Sequence, residues 1–307
     1  MRIAIFGTGG VGGYFGAKLA SGGNDVAFIA RGAHLAAMRA YGLRVESAGG
    51  DIELPKAVVT DDPSSLAPVD AVLFCVKLWD VEEAARQVVP LLAGGGVVIP
   101  FQNGIDSPDI LRRIVGDAHV LGGVAYIAAT IRAPGVIAHT GSMARLRVGA
   151  FGDRLADRAQ AFVHTCTSAG IGAELADDIG RAIWEKFVFL TALSGVTALS
   201  RQPVGGIRSD PDLRVSFEAA MKETIALARA RGVALADDFL SRQMRALDGL
   251  PAEMRSSMQN DLLAGRRLEA PWLCGRVAGL AMQAGIDAPV NATIYAGLKP
   301  FVNGTPD

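Results

Sequence analysis

Short apolar runs alternate with amphipathic stretches through the first half of the chain. The apolar runs end in glycine or a polar residue and lie at 2–7, 25–30, 70–77 and 96–104. Runs of this kind are typical of buried parallel strands. The stretches between them, such as residues 79–92, have helical spacing. Pro134-Gly135 separates two further runs and predicts an antiparallel hairpin. This alternation predicts an α/β fold, with a parallel sheet covered by helices on both faces.

The pattern changes after about residue 175, where strand-like runs give way to long helical segments. These segments cover residues 178–200, 211–231, 235–248, 251–265 and 271–284. A chain of 307 residues is near the length at which one hydrophobic core divides into two. We therefore predict two domains, an α/β domain over residues 1–172 and an all-helical domain over residues 173–307.

Composition limits the classes of partner. Apolar residues make up 50% of the chain, charged residues 20%, and the formal net charge is −1. Lysine and arginine are scattered, which argues against nucleic acid and anionic membranes as partners. No stretch approaches the roughly 18 uncharged apolar residues of a membrane-spanning helix. The cysteines and histidines lack metal-ligand spacing, so we expect reduced thiols, a cytoplasmic protein and no metal site. Apolar stretches in the helical half are compatible with a homodimer.

A glycine-rich loop follows the first predicted strand and precedes a predicted helix. It matches the pattern G-x-G-x-x-G with Gly7, Thr8, Gly9, Gly10, Val11 and Gly12. The three motif glycines allow a tight turn, close approach of the backbone to a pyrophosphate, and close helix–strand packing. The helix N-terminus adds free N–H groups and a partial positive charge for the phosphates. The loop predicts a Rossmann dinucleotide-binding domain, and a glycine-rich turn without a ligand is the alternative.

The residue after the second strand bears on which dinucleotide binds. NAD sites usually place an acid about 20 residues beyond the glycines, where it accepts hydrogen bonds from the ribose hydroxyls. Arg31 occupies this position, with no acid beside it in the sequence. Because a guanidinium suits a 2′-phosphate, the sequence favours NADPH (NADP+) as the cofactor. A solvated surface arginine is the alternative, and we expect the nearby His34 to face solvent.

Polar side chains follow two further predicted strands. Lys77 comes directly after the strand at 70–76, and Asn103 follows the next strand. Ligands of open α/β sheets bind at this carboxyl edge, so a cation and an amide are expected over the cofactor crevice. The alternatives are a lysine at the start of a surface helix and a simple turn at Asn103-Gly104.

Lys186 lies in a run of the helical half that is otherwise almost wholly apolar, with Trp184 two residues before it and Phe187 directly after it. Burial disfavours the charged form of a lysine, which lowers its pKa and makes its proton available. An ammonium buried without a partner is costly, so the run leaves open which group accepts the charge of Lys186. The alternatives are a lysine whose tip reaches water and a purely structural ion pair.

Six segments together carry a resemblance that extends over essentially the whole chain. They are IAIFGTGGVGGYFGAKLA, VKLWD, QNGID, WEKF, SSMQNDLLAGRRLE and GIDAPVNATIY. In this order they resemble the ketopantoate reductase (2-dehydropantoate 2-reductase) family. The resemblance implies a Rossmann domain followed by a helical domain, with the active site in the cleft between them. It also implies NADPH as hydride donor and a small-molecule 2-keto acid as substrate.

The resemblance implies roles for individual residues as well. Lys186 would be the general acid, with Glu269 as the partner that orients or reprotonates it. Ser257 would bind the substrate carboxylate, and Asn103 would contact the substrate. The resemblance also implies contacts with the cofactor from four further positions, Lys77, Asn103, Ala125 and Glu269.

Two positions depart from the family pattern on the helix that carries Lys186. The family usually presents asparagines four and eight residues after the lysine, whereas this chain has Leu190 and Ser194. At about 100° per residue both share the face of Lys186. After Glu269 the chain reads EAPWLCG, which adds Trp272 and lacks the usual polar residues.

Three functions remain open on this sequence. The first is NADPH-dependent reduction of ketopantoate to pantoate, in pantothenate biosynthesis. The second is reduction of a different, less polar 2-keto acid on the same fold, since the substrate-facing amides are absent. The third is a non-catalytic NADP(H)-binding sensor, although a binding protein has no need for a proton donor such as Lys186.

Overall fold

The computed structural model describes residues 1–305, and their contacts divide them into two compact units. The first unit contains residues 1–102 and 106–182. The second contains residues 103–105 and the described chain from residue 183 onward.

The division falls after Ala182, whereas the change of pattern along the sequence predicts it after residue 172. The strand Gly172–Leu175 pairs in parallel with residues 145–148, which keeps it in the first unit. The first turn of the following helix also belongs there, because the side chain of Ile179 lies against Gly122.

The first unit contains ten strands and five helices. The strands are β1 Arg2–Phe6, β2 Asp25–Ile29, β3 Leu43–Ser47, β4 Ile52–Leu54, β5 Val58–Thr60, β6 Ala71–Phe74, β7 Val97–Pro100, β8 Gly122–Ala133, β9 Val136–Gly149 and β10 Gly172–Leu175. The helices are α1 Gly10–Ser21, α2 Gly32–Tyr41, α3 Val81–Val88, α4 Ser107–Val115 and α5 Ala156–Ser168.

Five parallel strands form the central sheet, in the order β5-β2-β1-β6-β7. β1 lies in the middle, with Ile3 opposite Val26 on one side and Ala71 on the other. Its apolar side chains are fully buried, as the unbroken apolar runs predicted. The chain crosses from one side of β1 to the other after β5, so the carboxyl end of β1 lies at the point where ligands of such sheets bind.

A second sheet has the order β10-β9-β3-β4, with β8 paired to β9. β8 and β9 are antiparallel and flank Pro134-Gly135, which confirms the predicted hairpin. This hairpin lies against the start of α1, where a Cβ added at Gly10 would be 2.0 Å from the carbonyl oxygen of Ala129. Gly10 is therefore needed for packing of the hairpin on the helix.

The described part of the second unit contains helices and no strands, as predicted. The helices are α6 Ile179–Ser200, α7 Val204–Ser209, α8 Pro211–Ala230, α9 Phe239–Gly249, α10 Ser257–Leu263, α11 Cys274–Gln283 and α12 Pro289–Leu298. The first turn of α6 belongs to the first unit. α7 and α12 were not predicted, and α10 is much shorter than the predicted segment 251–265.

α6 is the most apolar long helix of the chain. By length and composition alone it could cross a membrane, but 67% of its most apolar stretch is buried inside the protein. Phe187 is buried in the core of the helical unit, and Phe189 packs edge-to-face on Phe217 at 5.7 Å. The helix is thus a core element, and the two phenylalanines are packing residues.

Candidate functional site

The glycine loop connects β1 to α1 with a geometry that only glycine permits. Gly7 has a φ of +98°, and a Cβ there would lie 2.8 Å from the backbone nitrogen of Val76. A Cβ on Gly12 would lie 2.3 Å from the carbonyl oxygen of Gly7. Any side chain at either position would push the loop away from its neighbouring strand or helix.

Gly9 borders open space at the start of α1. Gly9 precedes the first turn of α1, and a Cβ built there meets no atom within 4 Å. The first N–H groups of a helix lack partners within the helix, so they are available to phosphate oxygens at this point. The loop thus has the open cradle and the donors that a nicotinamide dinucleotide requires.

Three other residues predicted for the cofactor are packed into the fold. The hydroxyl of Thr8 is buried and donates to the carbonyl oxygen of Ile29 at 3.0 Å, which fixes the loop to β2. Val11 packs against the core of the unit. Ala125 on β8 is 4% exposed, so its side chain has little surface for a ligand.

Two charged residues predicted for the cofactor lie at the surface of the first unit. The Arg31 guanidinium is exposed and donates to Asp80 Oδ2 at 2.7 Å. The exposed Lys77 follows β6, with its ammonium 5.5 Å from the ring centroid of Trp79. Sequence reasoning missed Asp80, because it lies 49 residues from Arg31.

The expectation that His34 faces solvent was wrong. Its ring is partly buried, and Nδ1 accepts a hydrogen bond of 3.0 Å from the backbone N–H of Gly135. Burial lowers the pKa of His34, and the nearby backbone of Thr8 raises it by a smaller amount. His34 therefore contacts the turn of the β8–β9 hairpin.

The second unit brings three of the predicted site residues together. Lys186 Nζ on α6 donates to Asn103 Oδ1 at 3.0 Å. Asn103 Nδ2 in turn donates to Glu269 Oε2 at 3.2 Å. An ammonium only donates and a carboxylate only accepts, so these two neighbours fix the orientation of the amide. Asn103 therefore connects the two charges, which the sequence alone did not reveal.

Burial changes the ionisation of Lys186. Desolvation lowers the pKa of Lys186 to about 8, and the negative charge of Glu269 opposes this shift. Glu269 is itself only 7% exposed and precedes the turn Ala270–Trp272 that leads into α11. A lysine with a pKa near the working pH can both give up a proton and recover it.

Two adjacent serines at the start of α10 have different surroundings. The hydroxyl of Ser256 is buried, lies 2.7 Å from the hydroxyl of Thr197 on α6, and caps α10 by accepting from the N–H of Gln259. Ser257 is the first residue of α10 and is exposed. Ser256 therefore stabilises the packing of α10 on α6, while the hydroxyl of Ser257 is accessible to a ligand.

Leu190 and Ser194 follow Lys186 by one and two turns of α6. Leu190 is partly buried against the core of the helical unit. Ser194 is 1% exposed, and its hydroxyl has no hydrogen-bond partner among the described residues. A buried hydroxyl without a partner costs free energy, so this position retains an unused hydrogen-bonding group on the Lys186 face.

Comparison with known proteins gives family matches over most of the chain. The family profile described as Ketopantoate reductase PanE/ApbA matches residues 3–153, and its C-terminal counterpart, Ketopantoate reductase PanE/ApbA C terminal, matches residues 178–301. The chain belongs to the ketopantoate reductase family. Members of this family are oxidoreductases that use a nicotinamide dinucleotide, which agrees with the cradle at the glycine loop.

Individual relatives cover nearly the whole chain. The 2-dehydropantoate 2-reductase of Halobacterium salinarum is 31% identical over 299 residues, 96% of each chain. The crystal structure of a PanE/ApbA family ketopantoate reductase from Ralstonia eutropha JMP134 has a TM-score of 0.89 at 32% identity, and the match covers 98% of both chains. D-mandelate dehydrogenase, in a ternary structure with NADH and anilino(oxo)acetate, has a TM-score of 0.91 at 20% identity over 98% of both chains, which shows a shared fold.

Residues 1–305 contain no group of three or more His, Cys, Asp or Glu side chains placed to hold a metal ion. Cys75, Cys166 and Cys274 are free thiols in this part of the chain. Burial raises the pKa of the Cys166 and Cys274 thiols to about 12. Neither thiol is therefore a thiolate nucleophile at neutral pH.

Proposed function

We propose that this protein reduces ketopantoate to pantoate with NADPH, a step of pantothenate biosynthesis in the cytoplasm. The observation that carries the proposal is the chain of hydrogen bonds from Lys186 through Asn103 to Glu269. It provides a proton donor with a pKa of about 8. Reduction of a keto group requires such a donor, because hydride addition leaves an alkoxide.

A nicotinamide dinucleotide held at the glycine loop would supply the hydride that the keto carbon accepts. Lys186 donates a proton from Nζ to the oxygen that becomes the hydroxyl, and the neutral amine then recovers a proton from water. Asn103 orients the ammonium through its Oδ1, at 3.0 Å. The charge of Glu269 favours the protonated lysine, which offsets part of the cost of burial.

The exposed hydroxyl of Ser257 is proposed to bind the substrate carboxylate. A serine O–H can donate to a carboxylate oxygen, and a hydrogen bond to a charged group is stronger than one between neutral groups. The preference for NADPH is attributed to the cations at the carboxyl edge of the sheet. Arg31 follows β2 and Lys77 follows β6, and both are exposed.

A second candidate substrate is a 2-keto acid less polar than ketopantoate. Leu190 gives the Lys186 face an apolar group, and the hydroxyl of Ser194 is buried. A pocket with these groups has fewer hydrogen bonds for the hydroxyl of ketopantoate and more apolar surface for an alkyl or aryl group. The presence of both Lys186 and Glu269 favours an enzyme over a sensor in either case.

The test is oxidation of NADPH with ketopantoate, compared with 2-keto acids that carry larger alkyl and aryl groups, and with NADH as the parallel donor. We expect the highest kcat/KM with ketopantoate and NADPH. Efficient turnover only with an alkyl or aryl 2-keto acid would replace ketopantoate by that substrate. NADPH binding without turnover of any 2-keto acid would contradict an enzymatic role.

A further inference from the structure

The ion pair between Arg31 and Asp80 joins the segments that follow β2 and β6, the two strands that flank β1. β1 lies between β2 and β6 in the central sheet and continues directly into the loop. Arg31 follows β2 and Asp80 follows β6, so the two side chains approach each other from opposite sides of β1. Their contact, 2.7 Å from guanidinium to carboxylate, is thus made beside the dinucleotide cradle.

The backbone holds the loop and both flanking strand ends together. The N–H groups of Gly7 and Thr8 donate to the carbonyl oxygen of Ile29, at 3.2 and 3.1 Å. On the other side, the N–H of Cys75 donates to the carbonyl oxygen of Phe6 at 2.8 Å. The ends of β2 and β6 are therefore both fixed to the segment that contains the glycine loop.

Asp80 supplies the acid that the sequence lacks beside Arg31. An acid near this edge accepts hydrogen bonds from the ribose hydroxyls of NADH, whereas an arginine binds the 2′-phosphate of NADPH. Here both groups are present and already paired. The Arg31 side chain is 73% exposed, so a phosphate can reach it, and the Asp80 side chain is 27% exposed.

We infer that Asp80 is a specificity-determining residue that weakens the preference of this enzyme for NADPH over NADH. The inference rests on the proposed function, in which the adenosine ribose of the cofactor lies beside Arg31. A 2′-phosphate must compete with the Asp80 carboxylate for the guanidinium, and it then lies close to a like charge. NADH carries no 2′-phosphate, and its ribose hydroxyl can donate to the same carboxylate.

The test is the dissociation constant of NADPH and of NADH, each measured by fluorescence titration without substrate. In Asp80→Asn the side chain keeps its size but loses its charge. We expect NADPH to bind about fivefold more tightly than to the wild type, the size of effect that an exposed ion pair allows. NADH should bind equally well or more weakly, so the ratio of the two constants moves toward NADPH. Asp80→Ala should shift that ratio in the same direction.

A matched control is Asp25→Asn, which removes the partner of Arg2 in an exposed ion pair of the same unit. Asp25 begins β2 and lies about 20 Å from Arg31, at the opposite end of the strand. This variant should leave both dissociation constants unchanged. If the ratio of the two dissociation constants shifts in Asp25→Asn as much as in Asp80→Asn, the inference is overturned. The effect would then come from the net charge of the protein and not from the position of Asp80.

Arg31→Gln separates this inference from the proposed nucleotide site. We expect this variant to bind NADPH about tenfold more weakly than the wild type and NADH nearly as well. If Arg31→Gln has that effect while Asp80→Asn leaves the ratio unchanged or weakens NADPH binding, only the role of Asp80 is overturned. If Arg31→Gln leaves NADPH binding unchanged, the proposed site and the inference fail together.

Discussion

The ammonium of Lys186 and the carboxylate of Glu269 are bridged by a single amide, that of Asn103. The two hydrogen bonds are 3.0 and 3.2 Å long. Because the amide lies between the charges, Glu269 stabilises the protonated lysine without forming a direct ion pair with it. An ammonium has three N–H donors, so the bond to Asn103 leaves donors for a substrate oxygen.

The rate of keto-acid reduction should depend on the protonation of Lys186. Its pKa is lowered to about 8 by burial. We expect kcat to be constant below this pH and to fall above it by about tenfold per pH unit, because the neutral amine cannot donate a proton. Initial rates at saturating substrate and cofactor across the alkaline range measure this limb. A kcat that stays constant well above pH 10 would exclude Lys186 as the proton donor.

Glu269→Gln should move that alkaline limb to lower pH. The carboxylate of Glu269 raises the pKa of Lys186 against the effect of burial, and glutamine removes this charge while keeping the size of the side chain. The pH profile of kcat is the readout, since a purely structural loss would lower the rate without moving the limb. A limb that stays in place or moves to higher pH would show that Glu269 does not tune Lys186.

Ser256 and Ser257 form a matched pair for separating stability from substrate binding. Ser256→Ala removes a helix cap and leaves the buried hydroxyl of Thr197 without its 2.7 Å partner. We expect it to lower the free energy of unfolding by about 1–2 kcal/mol, measured by urea denaturation.

Ser257→Ala changes only an exposed hydroxyl, so we expect its free energy of unfolding to be close to that of the wild type. The KM for the keto acid should instead rise by about tenfold, as expected for a lost hydrogen bond to a charged group. An unchanged KM would remove Ser257 from the substrate site.

Leu190→Asn should make the pocket more selective for ketopantoate. The substitution places an amide one turn after Lys186, where it can bond a polar substrate, and removes apolar surface. We expect kcat/KM for ketopantoate, relative to that for a 2-keto acid with a larger alkyl group, to rise by about tenfold. Ser194→Ala, which removes only the buried hydroxyl, is the smaller comparison change. An unaltered ratio in Leu190→Asn would place Leu190 outside the pocket.

The elements that local patterns specify were predictable from the sequence. The apolar runs and the glycine loop predicted the parallel sheet and the start of α1, since strand burial and tight turns depend on neighbouring residues. α12 was not predicted, because its start depends on a residue that is distant in the sequence. Its N-terminus is stabilised by Glu223 on α8, whose carboxylate accepts hydrogen bonds from the backbone N–H groups of Val290 and Asn291. That contact joins residues 67 and 68 positions apart.

The same distinction between local patterns and tertiary contacts applies to the site. The apolar surroundings of Lys186 marked it in the sequence, and the family resemblance supplied Glu269. The amide that connects them depends on a contact across 83 residues, from Asn103 to Lys186. The pairing of Asp80 with Arg31 is also a tertiary contact, across 49 residues. Periodicity and motif spacing carry no information on contacts of this kind.

The central claim is that Lys186 supplies the proton, and Lys186→Met tests it most directly. Methionine keeps much of the apolar stem and removes the ammonium. We expect kcat with ketopantoate and NADPH to fall by at least about a hundredfold, while the dissociation constant of NADPH stays within about twofold of wild type. Lys222→Met, which removes an exposed lysine paired with Glu218, should leave both values unchanged. A Lys186→Met enzyme that keeps more than about a tenth of the wild-type kcat, or loses NADPH binding in proportion to its rate, would contradict the account.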